Sequence, residues 1–207
     1  MTPQQVIETI KKNAKAKFDE TLEVHIKLGI DPQKGEQQVR GSLVLPHGTG
    51  KKKRIAVFTE EKVEEAKKAG VEIVGGKELI EKIQKTKKCD FDIAIAEPQM
   101  MKDLSKIAKI LGPKGLMPSP KNETVTSNII EAIKDLSKGK ISFRNDKTGN
   151  IHQAIGKISW SVEMLLENFE IFIKTVKKAK PAKSKGTYLQ KIVLCSTMGR
   201  GEKVDEV

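Results

Sequence analysis

The sequence predicts a mixed fold, α/β plus α+β, in two domains, because its hydrophobic periodicity changes character twice. TLEVHIKL (21–28) alternates strictly between apolar and polar residues, which is typical of a strand with one buried face in an antiparallel sheet. From about residue 50, short apolar runs alternate with helical patterns, which indicates βαβ units and a parallel sheet. After residue 139 the first pattern returns. We therefore predict a parallel α/β block inserted into an α+β domain.

The first segment predicts a helix and two strands. Residues 3–15 carry apolar side chains at helical spacing. The alternation in 21–28 predicts the first strand, and a polar turn from Asp31 to Gly35 separates it from a second strand at 39–45.

The inserted block predicts three short strands, at 55–58 (IAVF), 71–74 (VEIV) and 92–96 (DIAIA). Helical patterns follow each of them: EEKVEEAKKAG, closed by Gly70, then a helix containing Leu79, Ile80 and Ile83, then one from about residue 100 to 111. One more short strand and helix are expected within 124–138.

The last segment, KISFRNDKTGNIHQAIGKI (140–158), predicts a hairpin with Gly149 near its turn. A helix at 161–178 and a strand at 188–195 follow. The expected domains are a discontinuous α+β domain of split βαβ type, 1–48 with 139–207, and an inserted Rossmann-like domain, 49–138. Gly48, Gly50 and Gly139 lie near the crossings, where they could permit a hinge.

The charge balance favours a polyanionic partner. The 207 residues include 39 Lys and Arg against 27 Asp and Glu, a net charge of +12, and nucleic acid is the usual partner of such an excess. Six Phe, one Tyr and one Trp are few for a protein that stacks base after base on exposed rings. Shape, ribose and phosphate contacts are therefore expected to dominate.

Several other classes of protein are not expected. No stretch is apolar enough to span a bilayer, and MTPQQVIETIKKNAK places its lysines after the apolar residues, unlike a signal peptide. Cys89 and Cys195 lie far apart, without His or Cys at ligand spacing, so neither a metal site nor a disulfide framework is predicted. Two thiols fit a reducing compartment such as the cytoplasm. The three histidines are isolated, and we assign no catalytic residue.

ILGPKGLMPSPK (110–121) must be an ordered loop, because three prolines prevent a continuous helix or a central strand. Lys114 and Lys121 flank its apolar pair. A phosphate cradle at its glycines is the alternative, but the spacing fits neither nucleotide-binding motif. The first turn of the inserted block, FTEE (58–61), has no glycine and is acidic. No cofactor is predicted.

The densest basic run lies within 171–191 and has no acidic residue. Its members are Lys174, Lys177, Lys178, Lys180, Lys183, Lys185 and Lys191. The run spans a helix end, where lysines complement the helix dipole. A solvated helix end and a phosphate contact both remain open as interpretations.

Five strings, in order, resemble one family, the large-subunit ribosomal protein L-one family of the mobile side stalk. They are AKFDETLEVHIKLGID, VRGSLVLPHGTGKKKRIAVF, ILGPKGLMPSPK, FRNDKTGNIHQAIGK and STMG. The resemblance runs from about Val6 to Gly199. It implies a discontinuous domain that binds the stalk of large-subunit rRNA and an inserted Rossmann-like domain.

The resemblance also implies the site residues. They are Lys17, Phe18, Thr21, Asp146, Lys147, Thr197, Met198 and Gly199. A lysine can reach phosphate, a ring can cover a ribose or base, and a hydroxyl can bond a 2′-OH. Without the resemblance, 145–149 indicates only a turn, and 196–199 only a strand end.

The function implied is that of a structural rRNA-binding protein of the large subunit, and not an enzyme. The resemblance further implies contact with exit-site tRNA and repression of the protein's own mRNA. We expect a cytoplasmic ribosomal protein that is a monomer off the ribosome, with an organelle ribosome as an open alternative. The competing hypotheses are a free regulatory RNA-binding protein and a Rossmann-type enzyme acting on RNA.

Overall fold

A computed structural model describes residues 1–51, 53–60, 62–120, 123–184 and 186–205, except for the side chain of Ser137. Glu61, Lys121 and Lys185, named in the sequence analysis, lie outside the described residues. The chain divides into two compact units, Met1–Lys51 with Lys138–Val207 and Lys52–Ser137. We call them the discontinuous unit and the inserted unit.

The described residues form nine strands and seven α-helices. In chain order the strands are β1 (Thr21–Leu28), β2 (Arg40–Val44), β3 (Ile55–Phe58), β4 (Ile73–Gly75), β5 (Ile93–Ala96), β6 (Lys140–Arg144), β7 (Asn150–Lys157), β8 (Leu189–Ser196) and β9 (Glu202–Val204). The helices are α1 (Pro3–Asn13), α2 (Val63–Lys68), α3 (Lys77–Thr86), α4 (Met101–Leu104), α5 (Ala108–Leu111), α6 (Ile129–Ser137) and α7 (Val162–Lys178). Short 3₁₀ turns cover Gly35–Gln37, Pro98–Met100 and Ser105–Ile107.

The discontinuous unit is built on a four-stranded antiparallel sheet in the order β7-β1-β8-β9. Strand β1 lies between β7 and β8, which α7 connects, so these elements form a split βαβ arrangement. The alternation predicted for 21–28 is confirmed, because every second side chain from Leu22 to Leu28 is buried. These side chains form one core with α1 and α7. The opposite face of the sheet, with Thr21, Glu23 and His25, carries no helix among the described residues.

Both long helices of this unit begin at a side-chain cap. Thr2 and Gln5 form a capping box at the start of α1, where Pro3 occupies the first turn. At the start of α7 the Met164 N–H donates to the Ser161 hydroxyl at 3.3 Å. The apolar stripe of α7, which includes Phe169 and Phe172, is buried as its spacing predicts.

The hairpin expected at 140–158 is only partly formed, and the prediction of its pairing was wrong. Strand β6 pairs with β2 in a separate two-stranded sheet, while β7 pairs with β1. Only an isolated bridge, from Asn145 just after β6 to Ile151 in β7, is formed across the turn among the described residues. The pairing with β2 buries Ile141 and Phe143 beside Leu43 in the core. Burial of apolar area against a distant strand therefore outweighs continued pairing across the turn.

The inserted unit contains a three-stranded parallel sheet in the order β4-β3-β5. Helices cover both of its faces. Phe58 and Ala96 pack with α3, α4 and α5, whereas Val57 and Ile95 pack with α2 and α6. Parallel strands buried on both faces are continuously apolar, as IAVF in β3 and IAIA in β5 are. The parallel and antiparallel sheets together confirm the mixed α/β class.

Two local differences from the sequence prediction have physical causes. The helix expected from about 100 to 111 is divided into α4, a 3₁₀ turn and α5, because the Ser105 hydroxyl donates to the Lys102 carbonyl at 2.6 Å and competes with the helical bonding. Strand β9 was not predicted, because Glu202–Val204 is too short and too polar to show a period. This segment forms a strand because it pairs with β8, which the local sequence does not show.

Candidate RNA-binding surface

Two of the segments predicted to bind RNA meet at one end of the four-stranded sheet. Thr21 begins β1 and Ser196 ends β8, and the register places Leu22 opposite Ser196. The Thr21 N–H donates to the Thr197 hydroxyl at 3.0 Å, and that hydroxyl lies 3.4 Å from the Thr21 carbonyl, to which it donates. The Thr197 side chain therefore joins the two segments. Its oxygen can accept one further hydrogen bond, and the residue is exposed.

A buried carboxylate, Glu20, organises this end of the sheet. Its Oε2 accepts the Met198 N–H at 3.0 Å, and its Oε1 accepts the Ala16 N–H at 3.3 Å. The side chain is 3% exposed. Hydrogen bonds from the Ser196 hydroxyl and then from the Met198 N–H hold the pKa of Glu20 below its usual range. Glu20 thus fixes the backbone around Met198 from inside the fold.

Sequence reasoning did not select Glu20, although the alternation of the strand contains the signal. Extended one step backwards, the buried series Leu22, Val24, Ile26 begins at Glu20. A charged residue on the buried face of a strand needs several donors, because burying an unpaired charge costs far more than a hydrogen bond returns. A buried carboxylate in such a series therefore indicates that it accepts hydrogen bonds that fix the neighbouring backbone.

Around Glu20 the surface is apolar and basic. Phe18 is 55% exposed and Met198 is 74% exposed, and they belong to a set of four large apolar side chains with high exposure among the described residues. Lys17 is also exposed. A groove beside Met198 and Gly199 is lined by Lys15 and Arg200. An exposed ring and a flexible thioether can pack on ribose or base, and the cations can contact phosphate.

Lys157 is a second residue that sequence reasoning missed. It lies opposite Thr21 in the register of β1 and β7. Its Nζ donates to the Thr21 hydroxyl at 3.0 Å and to the Asp19 carbonyl at 3.1 Å. Nothing local in the sequence identifies it, because its position depends on which strand β7 selects as a partner. We call Lys17–Thr21, Lys157 and Ser196–Gly199 together the Thr21 surface.

The turn that ends β8 requires a glycine at position 199. The Gly199 N–H donates to the Ser196 carbonyl at 3.0 Å and closes a turn. A Cβ at this position would lie 2.4 Å from the Ser196 hydroxyl, and Ser196 is 2% exposed. The contact that excludes a side chain is the buried Ser196 within the turn.

Asp146 and Lys147 lie apart from the other six predicted residues. They occupy the turn before β7, whose first residue, Asn150, is opposite Lys27. Thr21 and Lys27 are six residues apart on one strand, which corresponds to about 20 Å at ~3.3 Å per residue. The Thr21 surface therefore includes six of the eight predicted residues, and this turn is a separate location on the same sheet.

The carboxylate of Asp146 is occupied by its own turn. Its Oδ1 accepts the N–H groups of Asn150 and Thr148, each at 2.8 Å. Burial alone would raise the pKa of Asp146, but the hydrogen bonds from Asn150 and Thr148 outweigh it and hold the pKa well below its usual range. Lys147, beside it, is exposed.

Replacing Asp146 should destabilise the fold, and the loss relative to the wild type should be larger at neutral pH than at acid pH. The folded pKa is lower than the ordinary value of 3.8, so the ionised carboxylate stabilises the fold above that pH, and this contribution is lost as the pH falls. We expect Asp146→Asn to lower the free energy of unfolding at pH 7. The difference from the wild type should shrink steadily below pH 3.8, as measured by urea unfolding across a pH series. A difference that is independent of pH would contradict the assignment.

The carboxyl ends of the parallel strands, where α/β folds bind ligands, are acidic in the inserted unit. Glu97 follows β5 and is 9% exposed, and its Oε2 accepts the Thr59 hydroxyl at 2.8 Å. Glu60 follows Thr59 and pairs with Lys77 at 3.2 Å. Carboxylates at this edge oppose the binding of a nucleotide phosphate.

The basic run includes at least two lysines that pair within the chain. Lys174 lies 3.4 Å from Glu170 on α7, and Lys183 pairs with Glu36. These pairs favour a solvated, ion-paired surface over a dedicated phosphate site for these two residues. Lys185 lies outside the described residues.

Two further findings bear on the class of protein. Among the helices that the structure describes, none has the length and apolarity to cross a membrane. A comparison with models of protein families matches residues 10–200 to the family described as ribosomal protein L1p/L10e. This is a family of structural RNA-binding proteins of the ribosome, not of enzymes, and its members bind large-subunit rRNA. Because this match covers nearly the whole chain, the protein belongs to the ribosomal protein L1p/L10e family.

Proposed function

We propose that the protein binds the side-stalk region of large-subunit rRNA through the Thr21 surface. The observation that carries this proposal is the meeting of Lys17–Thr21 with Ser196–Gly199 around the buried Glu20. A buried carboxylate holds an exposed methionine backbone in place, and an exposed phenylalanine lies on the neighbouring segment. A backbone segment that is ordered in advance loses less entropy when its side chains bind.

The contacts that we propose are mainly to shape, ribose and base rather than to phosphate alone. Phe18 and Met198 would pack on ribose or base faces, and the remaining acceptor site of Thr197 would receive a 2′-OH. Lys17 would reach phosphate. Lys157 would add a second cation beside Thr21. This combination fits folded RNA, whose sugars and grooves present such features.

The units support a division of labour. We propose that the discontinuous domain, 1–48 with 139–207, binds rRNA and that the inserted Rossmann-like domain, 49–138, binds no nucleotide cofactor. We propose in addition that the protein contacts exit-site tRNA. The acidic strand ends at Glu60 and Glu97 support the absence of a cofactor. Repression of the protein's own mRNA would use the Thr21 surface on an rRNA-like site, so mRNA and rRNA would compete for it.

Chemical footprinting of large-subunit rRNA, with and without the full chain, tests this proposal. We expect protection concentrated in the side stalk. A double variant, Phe18→Ala with Met198→Ala, should lose that protection, whereas a matched change of an exposed apolar residue elsewhere, Val44→Ala, should keep it. Protection outside the stalk, or equal protection by both variants, would overturn the proposal. Cosedimentation with large subunits in high salt separates a ribosomal protein from a free regulatory one.

A further inference from the structure

A row of side chains of the kinds that can ligate a metal crosses one face of the four-stranded sheet. The register places His25 opposite His152 on β7, and Glu23 opposite Cys195 on β8. Because successive residues of a strand alternate between faces, Glu23 and His25 share the face that carries no helix. Three strands thus bring a thiol, two imidazoles and a carboxylate together.

Three of these side chains converge on one point. His25 Nε2 lies 3.1 Å from Cys195 Sγ and 3.8 Å from the Glu23 carboxylate. The ligand atoms of Glu23, His25 and Cys195 all lie within 4.8 Å of one another, and this is the one such group found among the described residues. A tetrahedral ion with bonds of about 2.0–2.3 Å needs ligand atoms at nearly these separations.

A series of hydrogen bonds from His25 through His152 to Asp146 leaves the Nε2 of His25 free of a proton and able to bind a metal. His152 Nε2 lies 3.4 Å from the Asp146 carboxylate, which accepts hydrogen bonds only, so this nitrogen carries the proton. His152 Nδ1 is then an acceptor, and His25 Nδ1, 2.7 Å away, donates to it. The remaining nitrogen, His25 Nε2, therefore directs a lone pair towards Cys195 and Glu23. A histidine whose second nitrogen donates to a fixed partner is the usual arrangement of a metal ligand.

We propose that Glu23, His25 and Cys195 bind a Zn²⁺ ion or a divalent ion of similar softness. A thiolate, an imidazole and a carboxylate suit such an ion, and water would occupy the fourth position. Binding requires the Cys195 thiol to release its proton to solvent, so one proton would leave for each ion bound. His152 would act as a positioning residue that orients His25.

This proposal departs from the absence of a metal site expected from the sequence. That expectation rested on ligands close together in the chain, whereas His25 and Cys195 are 170 residues apart. Antiparallel pairing of β1 with β8 brings them together, and no local spacing shows this. The proposal is independent of RNA binding.

Titration of the reduced, full-length protein with Co²⁺, a coloured substitute for Zn²⁺, provides the test. We expect saturation at one equivalent, with visible bands of a tetrahedral site and a near-ultraviolet thiolate-to-cobalt band, both removed by added Zn²⁺. Cys195→Ser should lose the thiolate band. Cys89→Ser, which changes the other free cysteine, should keep it.

Two further variants keep the test decisive if Cys195→Ser folds poorly. Glu23→Gln should weaken Co²⁺ binding and retain the thiolate band, since the sulfur ligand remains. His152→Ala should weaken binding by about 10–100-fold, the usual effect of removing the partner of a ligating histidine. The absence of saturable binding, or a thiolate band that survives Cys195→Ser and disappears in Cys89→Ser, would overturn the proposal.

Discussion

Gly199→Val is expected to reduce affinity for side-stalk RNA by about a hundredfold or more. A Cβ at this position would lie 2.4 Å from the Ser196 hydroxyl, and Ser196 is 2% exposed and bonded to Glu20. The serine hydroxyl could move aside only by giving up its hydrogen bond to the buried Glu20, so the clash disrupts the turn around Glu20. The Met198 N–H would leave Glu20, and the side chains of Thr197 and Met198 would be displaced together.

The matched control is Gly35→Val, because a Cβ at Gly35 meets no heavy atom within 4 Å and the residue lies in the same unit. Affinities can be measured by fluorescence anisotropy with labelled stalk RNA, and circular dichroism checks that both variants are folded. The control should bind as the wild type does. If Gly199→Val is folded and binds stalk RNA within a factor of about three of the control, the Thr21 surface does not hold the RNA.

Asn168→Leu should cause the largest loss of stability that we predict for a single residue. Asn168 is fully buried on α7, and its Nδ2 donates to the carbonyls of Gly48 at 3.0 Å and Ile155 at 2.9 Å. Its Oδ1 accepts the His47 N–H at 3.3 Å. Leucine fills a similar volume but leaves three backbone groups unpaired. Since each costs about 1–3 kcal/mol, we expect a loss of about 3 kcal/mol or more in the free energy of unfolding.

Urea unfolding measured by the fluorescence of Trp160 is suited to this prediction, because it is the sole tryptophan and packs on the core of the same unit. Asn13→Leu, at an exposed position at the end of α1, is the control and should change stability little. Equal losses in the two variants would show that the amide of Asn168 does not hold residues 47–48 to α7 and β7.

Much of the fold could be predicted because its signals are local. The strict alternation in 21–28 gave β1 with its bounds, and the apolar stripe of 161–178 gave α7. Strand pairing is not local. The turn residues of 145–149 indicated a hairpin, but β6 pairs with β2 because Ile141 and Phe143 find their buried surface there.

In the candidate site, too, some residues could be predicted from the sequence and others depend on strand pairing. The family resemblance selected Phe18, Thr197 and Met198, and the structure places them at one end of the sheet. It also selected Asp146, which lies at the opposite end with its carboxylate occupied by the turn. Glu20 could have been found from the alternation alone. Lys157 could not, since its place beside Thr21 follows from the register of two strands distant in sequence.

The most direct test of the central claim is a comparison of Thr197→Ala with Lys183→Ala in binding stalk RNA across a salt series. Thr197 joins the two segments of the Thr21 surface, so its loss should weaken binding by about 1–3 kcal/mol at physiological salt, with little change in the salt slope. Lys183 is exposed and pairs with Glu36, so its loss should matter little and should reduce the slope by about one unit at most. If Lys183→Ala weakens binding more than Thr197→Ala at physiological salt, charge rather than shape holds the RNA, and the Thr21 surface is not the binding site.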